Sequence, residues 1–301
     1  MRTRWIGRPA SRIAIALVTL IAGSSLSQAD PIIYGSAFGG RLSTAASLYT
    51  INPNTGAGTL IGPIGFDRVG SLAFNPQNGT LYGVGNDPTT GTAELITINT
   101  TTGAGTLVGS LALGSSPVQD ISFRHSDAGL FAYRSGNIYT INTTTGKATL
   151  VGITGSFPDG NGISFSAADT LYLANDLGLF TVNQSNGSVT LVENLNYPSP
   201  PFTPSGDPRE NGLDFDPGTG TLYASLLNGF VTSPPRTNYL GTIDIPTGNV
   251  NLIGPTVPGL DGLAISPSAA PSTPEPGSLV LLGVGGSVLL FAGWRRRRSR
   301  V

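Results

Sequence analysis

Apolar and polar residues alternate along most of the chain, and one alternating segment recurs. Residues 95–109 read LITINTTTGAGTLVG, and the related segments are 48–62 (LYTINPNTGAGTLIG), 138–152 (IYTINTTTGKATLVG), 179–193 (LFTVNQSNGSVTLVE) and 240–254 (LGTIDIPTGNVNLIG). A period of two in residues that favour strands, interrupted by Thr-Gly or Asn-Gly, predicts a β-hairpin. The turn glycine of each hairpin is expected to adopt a positive φ; these glycines are Gly56, Gly103, Gly146, Gly187 and Gly248.

A second recurrent pattern lies between the hairpins and reads as strand, turn and strand. It occurs at 70–85 (GSLAFNPQNGTLYGVG), 119–134 (QDISFRHSDAGLFAYR), 161–175 (NGISFSAADTLYLAN) and 211–225 (NGLDFDPGTGTLYAS). Joined to the hairpin that follows, each copy makes a four-stranded antiparallel unit. The period of about 48 residues is typical of one β-propeller blade.

The two ends of this repeat region complement each other. Residues 32–38 read as the second strand of a blade without a first strand, whereas 261–265 read as a first strand alone. We therefore predict an all-β fold: a single β-propeller over residues 30–267, with five four-stranded blades, in which the last strand completes the first blade. A β-sandwich and an open β-solenoid are the alternatives, but neither accounts for this complementarity.

Composition narrows the possible chemistry. The 301 residues include 42 glycines, 23 prolines, no cysteine and one histidine, and 11% are charged. The lack of cysteine excludes disulfides, zinc-thiolate sites and cysteine nucleophiles. With His125 as the sole histidine, histidine-based catalysis and multi-histidine metal sites are not expected. We predict that His125 is a surface loop residue and that the protein is not an enzyme.

Charge is sorted along the chain, although the net charge is only −1. Arginines cluster at both ends, and the body between them is acidic and has no basic stripe, which argues against nucleic-acid binding. Residues 1–29 run from arginines through an apolar stretch to small residues, the order of a signal peptide.

The other end has three parts. Residues 268–277 form a Pro/Ser-rich linker, and the uncharged residues 278–294 would span about 25 Å as a transmembrane helix. Residues 295–301 form an arginine-rich tail, in which Arg295, Arg296, Arg297 and Arg298 are expected to stay cytoplasmic and stop translocation. Both ends therefore predict an inner-membrane precursor with its body outside.

Pro274-Glu275-Pro276, an apolar helix and a short arginine-rich terminus resemble the PEP-CTERM sorting signal of exopolysaccharide-producing Gram-negative bacteria. The resemblance covers the last thirty or so residues. It implies that an exosortase, a membrane protease-transpeptidase, cuts near the Pro-Glu-Pro motif and leaves the body released or attached to the surface. The repeats of the body resemble the LYxINxxTGxxTLVG repeat domains of secreted bacterial proteins.

One position in the first strands offers candidate metal ligands. When these strands are aligned, Gly70, Gln119, Asn161, Asn211 and Asp261 are equivalent and head the innermost strand of each blade. Oxygens from Asn161, Asn211 and Asp261 could hold Ca²⁺. The segments 211–213 and 261–263 are similar to metal-ligand segments of gluconolactonase-type propeller lactonases. That likeness departs from the family at Gly70 and at the absence of a glutamate.

The alternative to metal binding is a structural role, in which these side chains cap the turn that enters each strand. Asp214 and Asp216 form a D-x-D pair, which we assign to turn chemistry. The function predicted from the sequence is thus a non-enzymatic, exported binding or matrix protein without a cofactor, whose expected partners are the membrane, an exosortase and an exopolysaccharide or surface protein. The alternative is a metal-dependent hydrolase or lyase that uses a cation in the propeller channel.

Overall fold

The computed structural model describes residues 30–38, 45–155, 161–202, 208–229 and 237–267, and every regular element among them is a strand. The first sheet has seven strands, in the order β19-β1-β2-β3-β4-β5-β6. Its strands are β1 (Ile33–Phe38), β2 (Ala45–Ile51), β3 (Gly58–Phe74), β4 (Leu81–Asn86), β5 (Ala93–Ile98), β6 (Gly105–Ser110) and β19 (Leu260–Ile265). The prediction of an all-β fold is confirmed.

Three four-stranded antiparallel sheets follow, each built from consecutive strands. The first contains β7 (Asp120–Phe123), β8 (Leu130–Arg134), β9 (Asn137–Ile141) and β10 (Ala148–Ile153). The second contains β11 (Gly162–Phe165), β12 (Leu171–Asn175), β13 (Gly178–Val182) and β14 (Val189–Glu193). The third contains β15 (Arg209–Phe215), β16 (Leu222–Leu227), β17 (Asn238–Ile243) and β18 (Val250–Pro255).

The seven-stranded sheet arises because β3 serves two four-stranded units. Residues 58–67 of β3 pair with β2, and residues 67–74 pair with β4. The sequence predicted two separate strands here; the structure has one strand that bends. Gly65 and Arg68 have φ values of 84° and 47°, and the register shifts between Asp67 and Ser71. These left-handed residues turn the strand from one unit into the next without breaking it.

We name the units in chain order. The first unit comprises β19, β1, β2 and the start of β3; the second comprises the end of β3 with β4, β5 and β6; the three remaining sheets are the third, fourth and fifth units. The last strand meets the first, since Ile265 of β19 pairs with Ile33 of β1 and Ala264 pairs with Tyr34. The first unit thus takes one strand from the C-terminal part of the body.

The first strands of the five units, which we call the inner strands, are β19, the end of β3, β7, β11 and β15. Each inner strand contacts the next one in that order, and β15 contacts β19. Aromatic side chains fill the spaces between neighbouring units. Tyr34 packs on Phe74 and Tyr82 on Phe123, with ring centroids 5.5 and 5.3 Å apart. The same kind of pair joins Phe131 to Phe165 and Tyr172 to Phe215.

The recurrent hairpin turns form a second contact between units. Their glycines have positive φ as predicted, for example 82° at Gly103 and 78° at Gly146. A Cβ added to Gly103 would lie 2.6 Å from the carbonyl oxygen of Gly62 in the preceding unit, and one added to Gly146 would lie 2.2 Å from that of Gly109. Gly56 likewise meets the carbonyl oxygen of Gly254, so the first unit contacts the fifth in the same way. These glycines therefore provide room as well as a backbone conformation.

Two proline-rich inserts, residues 194–210 and 226–239, interrupt the repeats near the fifth unit, and the first of them packs into the body. Phe202 is only 2% exposed and contacts the core of the fifth unit together with Tyr197. The backbone N–H of Asn196 donates to the carbonyl of Gly248, and Val250 donates to the carbonyl of Asn196. The described part of this insert thus covers part of the core of the fifth unit. Residues 203–207 and 230–236 of the inserts lie outside the described residues.

No helix among the described residues is long and apolar enough to cross a membrane. The predicted signal peptide (1–29), linker and transmembrane helix (268–294) and arginine-rich tail (295–301) lie outside the described residues, as do Pro274, Glu275, Pro276 and Arg295 to Arg298.

Candidate functional site

The inner strands meet at the centre of the molecule, and their exposed edges need hydrogen-bond acceptors. Each inner strand is bonded to its own sheet along one edge only, so every second backbone N–H faces the centre. A buried N–H without an acceptor destabilises a fold by about 1–3 kcal/mol. The polar side chains of the inner strands lie where they can accept these bonds.

Asp120 is one of these side chains and has no exposed surface. Its Oδ2 accepts hydrogen bonds from the backbone N–H groups of Ile163 and Leu213, at 2.9 and 3.1 Å, and its Oδ1 accepts from Ile121. One carboxyl group therefore joins the inner strands of three units. Burial raises the pKa of Asp120 well above its usual range, although the three backbone donors act in the opposite direction.

The residues equivalent to Asp120 explain why the carboxyl fits there. Three of the other inner strands have glycine at this position: Gly162, Gly212 and Gly262. A Cβ on Gly162 would lie 2.6 Å from the side chain of Leu213, and a Cβ on Gly212 would lie 2.6 Å from the carbonyl oxygen of Asp261. The fourth, Ser71, has a small buried side chain. The inner strands approach so closely at this level that a side chain at the glycine positions would clash with a neighbouring strand.

Two residues further along, the side chain of one inner strand accepts a hydrogen bond from the next strand. Ser122 Oγ accepts from the N–H of Phe165 at 2.9 Å, and Ser164 Oγ accepts from the N–H of Phe215 at 3.2 Å. Asp214 Oδ2 accepts from the N–H of Ile265 at 2.7 Å. These three bonds connect four of the five inner strands.

Asp214 makes further bonds at the same level. Its Oδ1 accepts hydrogen bonds from the hydroxyl of Ser164 and from the backbone N–H of Phe215, the next residue in the chain. Asp214 keeps some exposed surface because a central pocket reaches it, but protein atoms enclose the carboxyl on its other sides. This burial raises the pKa of Asp214 to about 7; the nearby charge of Asp216 adds to the effect, and the hydrogen bonds oppose it.

The central pocket lies at the C-terminal ends of the inner strands and has a volume of about 190 Å³. All five inner strands contribute to it. Its wall is mainly apolar, and its polar groups come from Asp214, Ser122 and His125. Prolines of the turns that follow the inner strands form the rest of the rim: Pro76, Pro217 and Pro267.

His125 lies in a turn between two strands, as the sequence predicted, but it is not fully exposed. It is partly buried at the rim of the pocket, and its backbone N–H donates to Asp169 Oδ1 of the fourth unit at 2.7 Å. The sequence contained a signal for this position, because His125 aligns with Pro76, Pro217 and Pro267 in the repeats. In the third unit, histidine thus takes the place of the proline that lines the pocket in three other units.

The predicted metal ligands head the inner strands at the opposite end from this pocket. Gln119 Oε1 accepts from the backbone N–H of Ser135 at 3.0 Å, and Asn161 Oδ1 accepts from Asn175 Nδ2 at 3.2 Å, so both side chains turn to the second strand of their own unit. Asp261 extends toward Gly70, where its Oδ2 would lie 3.0 Å from an added Cβ. Asn211 is partly exposed.

Asp216 has the turn role that the sequence predicted. Its carboxyl accepts from the N–H of Gly218 at 2.9 Å and from the hydroxyl of Thr219 at 2.6 Å. The D-x-D pair thus divides, because Asp216 caps a turn while Asp214 contacts the neighbouring inner strands. Within the described ranges, no group of three or more histidine, aspartate or glutamate side chains is placed to hold a metal ion.

Comparison with known proteins identifies the C-terminal segment. Residues 272–298 match the PEP-CTERM protein-sorting motif, which confirms the resemblance seen in the sequence. The motif indicates an exported protein that is anchored at the membrane before an exosortase processes it. No curated protein matches this sequence.

Solved structures resemble the body. A chain in the crystal structure of a nidogen/laminin complex is 14% identical, with a TM-score of 0.50, and the match covers 80% of this chain and 100% of that chain. A symmetrical protein from a study of de novo evolutionary emergence is 19% identical over 80% of this chain and 100% of its own, with a TM-score of 0.45. The first likeness shows the fold alone, which is β-propeller-like.

Proposed function

We propose that this chain is an exported, exosortase-processed protein whose body is a five-bladed β-propeller closed by β19, and that it acts by binding a partner rather than by catalysis. The five units correspond to the blades. An exopolysaccharide or a surface protein is the partner expected from the sorting signal.

The closed five-bladed arrangement is supported by contacts between units that repeat around the body. β19 pairs with β1, and the turn glycine Gly56 of the first unit packs on Gly254 of the fifth. Aromatic pairs and turn contacts of the same kind join the other units. A closed propeller leaves no unit without a neighbour, which is a recurrent way to protect sheet faces.

The observation that carries the binding role is the engagement of the central polar side chains. Asp120 accepts three backbone hydrogen bonds, and Asp214 accepts three more from neighbouring groups. A general base or nucleophile requires a group directed at a substrate rather than at the fold. The hydrogen bonds of these two carboxyl groups hold the inner strands together, and the repeats give a rigid support for a binding surface.

A metal-dependent hydrolase is the alternative, and it would use Asn161, Asn211 and Asp261. Calcium ligands need to direct several oxygens at one point. Of the three, Asn161 has its oxygen engaged by Asn175 Nδ2 of its own unit, which lends the alternative less support. Binding is therefore the better supported function.

Two measurements on the full-length protein test this choice. Hydrolysis of a panel of lactones and esters, with added Ca²⁺ and with EDTA, is expected to equal the rate without protein. Thermal unfolding is expected to be the same under both conditions. A turnover that EDTA removes and that Asn161→Ala or Asp261→Ala also removes would contradict the proposal. Asn251→Ala, at an exposed position of β18, is the matched control.

A further inference from the structure

The hydrogen bonds between inner strands are incomplete on one side of the central pocket. The backbone N–H of Asn75 donates to the carbonyl of Thr80 within the second unit. Successive N–H groups of a strand point to opposite edges, so the N–H of Phe74 faces the centre. By the same register, Arg124 donates to Gly129, and the N–H of Phe123 faces the centre. Phe74 and Phe123 are the counterparts of Phe165, Phe215 and Ile265.

The acceptor that serves the other strands is missing at these two places. Where Ser122, Ser164 and Asp214 accept a bond from the following strand, the first and second units have Ala264 and Ala73. In the described part of the chain, no side chain accepts a hydrogen bond from the N–H of Phe74 or Phe123. Ala73, Phe74 and Phe123 line the pocket, so two adjacent strands present backbone donors to it.

A carboxyl group lies on the other side of the same pocket. Asp214 belongs to β15, which approaches both β3 and β7 across the centre. The pocket thus has two N–H donors on one wall and an oxygen acceptor on the opposite wall, with aromatic side chains between them. Its volume of about 190 Å³ equals about six waters and is smaller than pockets for drug-sized ligands, which begin at about 300 Å³.

From this arrangement we propose that the central pocket binds a small neutral carboxamide group. Its carbonyl oxygen accepts hydrogen bonds from the N–H groups of Phe74 and Phe123, and its own N–H donates to the carboxyl of Asp214. The inference rests on the proposed binding function and names the chemistry of the ligand.

Other chemistry fits the pocket less well. A carbonyl oxygen has two lone pairs and can accept from both N–H groups at once. Above pH 7, where the carboxyl of Asp214 is deprotonated, a carboxylate would accept the same bonds but would face Asp214 without a donor. An ammonium group would pair with Asp214 but leave the two N–H groups without acceptors. A single hydroxyl group is too small to reach both walls of a pocket of this volume.

The binding test uses the full-length protein and four small probes observed by ligand-detected NMR. Propionamide is the carboxamide probe, N,N-dimethylacetamide lacks the N–H donor, propionate carries the negative charge, and propylammonium carries the positive charge. Propionamide is expected to bind at least about threefold more tightly than each of the others, because each alternative loses one hydrogen bond or more.

Two substitutions test the geometry directly. Ala264→Ser and Ala73→Ser place a hydroxyl where Ser122 and Ser164 have one, so that it can accept the N–H of Phe74 or of Phe123. Each is expected to weaken propionamide binding about three- to tenfold while leaving thermal stability unchanged or slightly raised. Ala104→Ser, in an exposed hairpin turn, is the matched control and should bind like the unaltered protein.

The outcomes separate this inference from the proposed function. Absence of propionamide binding, tighter binding of propylammonium, or unchanged binding by both serine variants would each overturn the carboxamide site while leaving the binding role of the body untouched. Metal-dependent hydrolysis of a lactone would instead overturn the proposed function, whatever the NMR result. Loss of binding in the serine variants, with stability retained, supports the carboxamide site.

Discussion

The contact between each hairpin turn and the preceding unit gives a sharp prediction about stability. Gly103 and Gly79 both lie in turns and have φ values of 82° and 69°. In the Gly103→Ala variant, the new Cβ would lie 2.6 Å from the carbonyl oxygen of Gly62 and 2.8 Å from its carbonyl carbon. In the Gly79→Ala variant, the new Cβ would have nothing within 4 Å.

The two variants share the cost of a left-handed alanine, about 1–2 kcal/mol. Only Gly103→Ala adds a clash with backbone of another unit, which costs about 1–3 kcal/mol more because backbone cannot move aside as a flexible side chain can. The difference corresponds to about 2–4 °C in the unfolding midpoint per kcal/mol for a domain of this size.

Thermal and urea unfolding of the full-length variants, followed by circular dichroism, measure this difference. Gly103→Ala is expected to unfold at the lower temperature and the lower urea concentration. Gly152→Ala provides an independent check, because its Cβ would lie 1.8 Å from the carbonyl oxygen of Asn186 without any positive φ. Equal stability of the Gly103→Ala and Gly79→Ala proteins would refute the contact between units.

Two further predictions concern the central carboxyl groups. Asp120→Ala leaves the N–H groups of Ile163 and Leu213 without their acceptor and should lower the free energy of unfolding by about 2–5 kcal/mol in urea titrations. The control Asp127→Ala removes an exposed ion pair with Arg124 and should lower it by about 1 kcal/mol or less. Equal losses would contradict the role of Asp120. Burial raises the pKa of Asp214 from 3.8 to about 7 in the folded state, so between these values the folded protein binds more protons than the unfolded protein. The free energy of unfolding should therefore decrease as the pH rises from about 4 to about 7. At about 1.4 kcal/mol per pKa unit, this amounts to a few kcal/mol. Asp214→Asn should remove that part of the pH dependence, since its amide can donate to Ser164 and its oxygen can accept from Ile265, and an unchanged slope would contradict the assignment.

The sequence predicted the hairpins well because their signals are local. Alternation in residues 95–109 gives strands β5 and β6, and the Asn-x-Thr part of the turn has a direct structural role: Asn99 Oδ1 accepts from the N–H groups of Thr101 and Thr102. The positive φ of Gly103 also follows from its turn alone. The continuity of β3 did not follow, since nothing local shows that residues 65–68 bend a strand instead of ending it.

The central site was harder to predict because it depends on contacts between units. Asp120 could be recognised only by aligning it with Gly162, Gly212 and Gly262, and its partners lie 43 and 93 residues further along the chain. The carboxamide site that we propose depends on the difference between Ala73 and Ser122 at one aligned position. The sequence instead emphasised Asn161, Asn211 and Asp261, which share an aligned position; of these, Asn161 accepts a hydrogen bond from Asn175 of its own unit.

The central claim is that the C-terminal sorting motif delivers a propeller body to the outside of the inner membrane and is then removed. Intact-mass measurement of the protein isolated from its native host tests this claim most directly. We predict a mature species that ends near Pro274 to Pro276 and lacks Arg295 to Arg298. A mature species that still carries these four arginines would contradict the account.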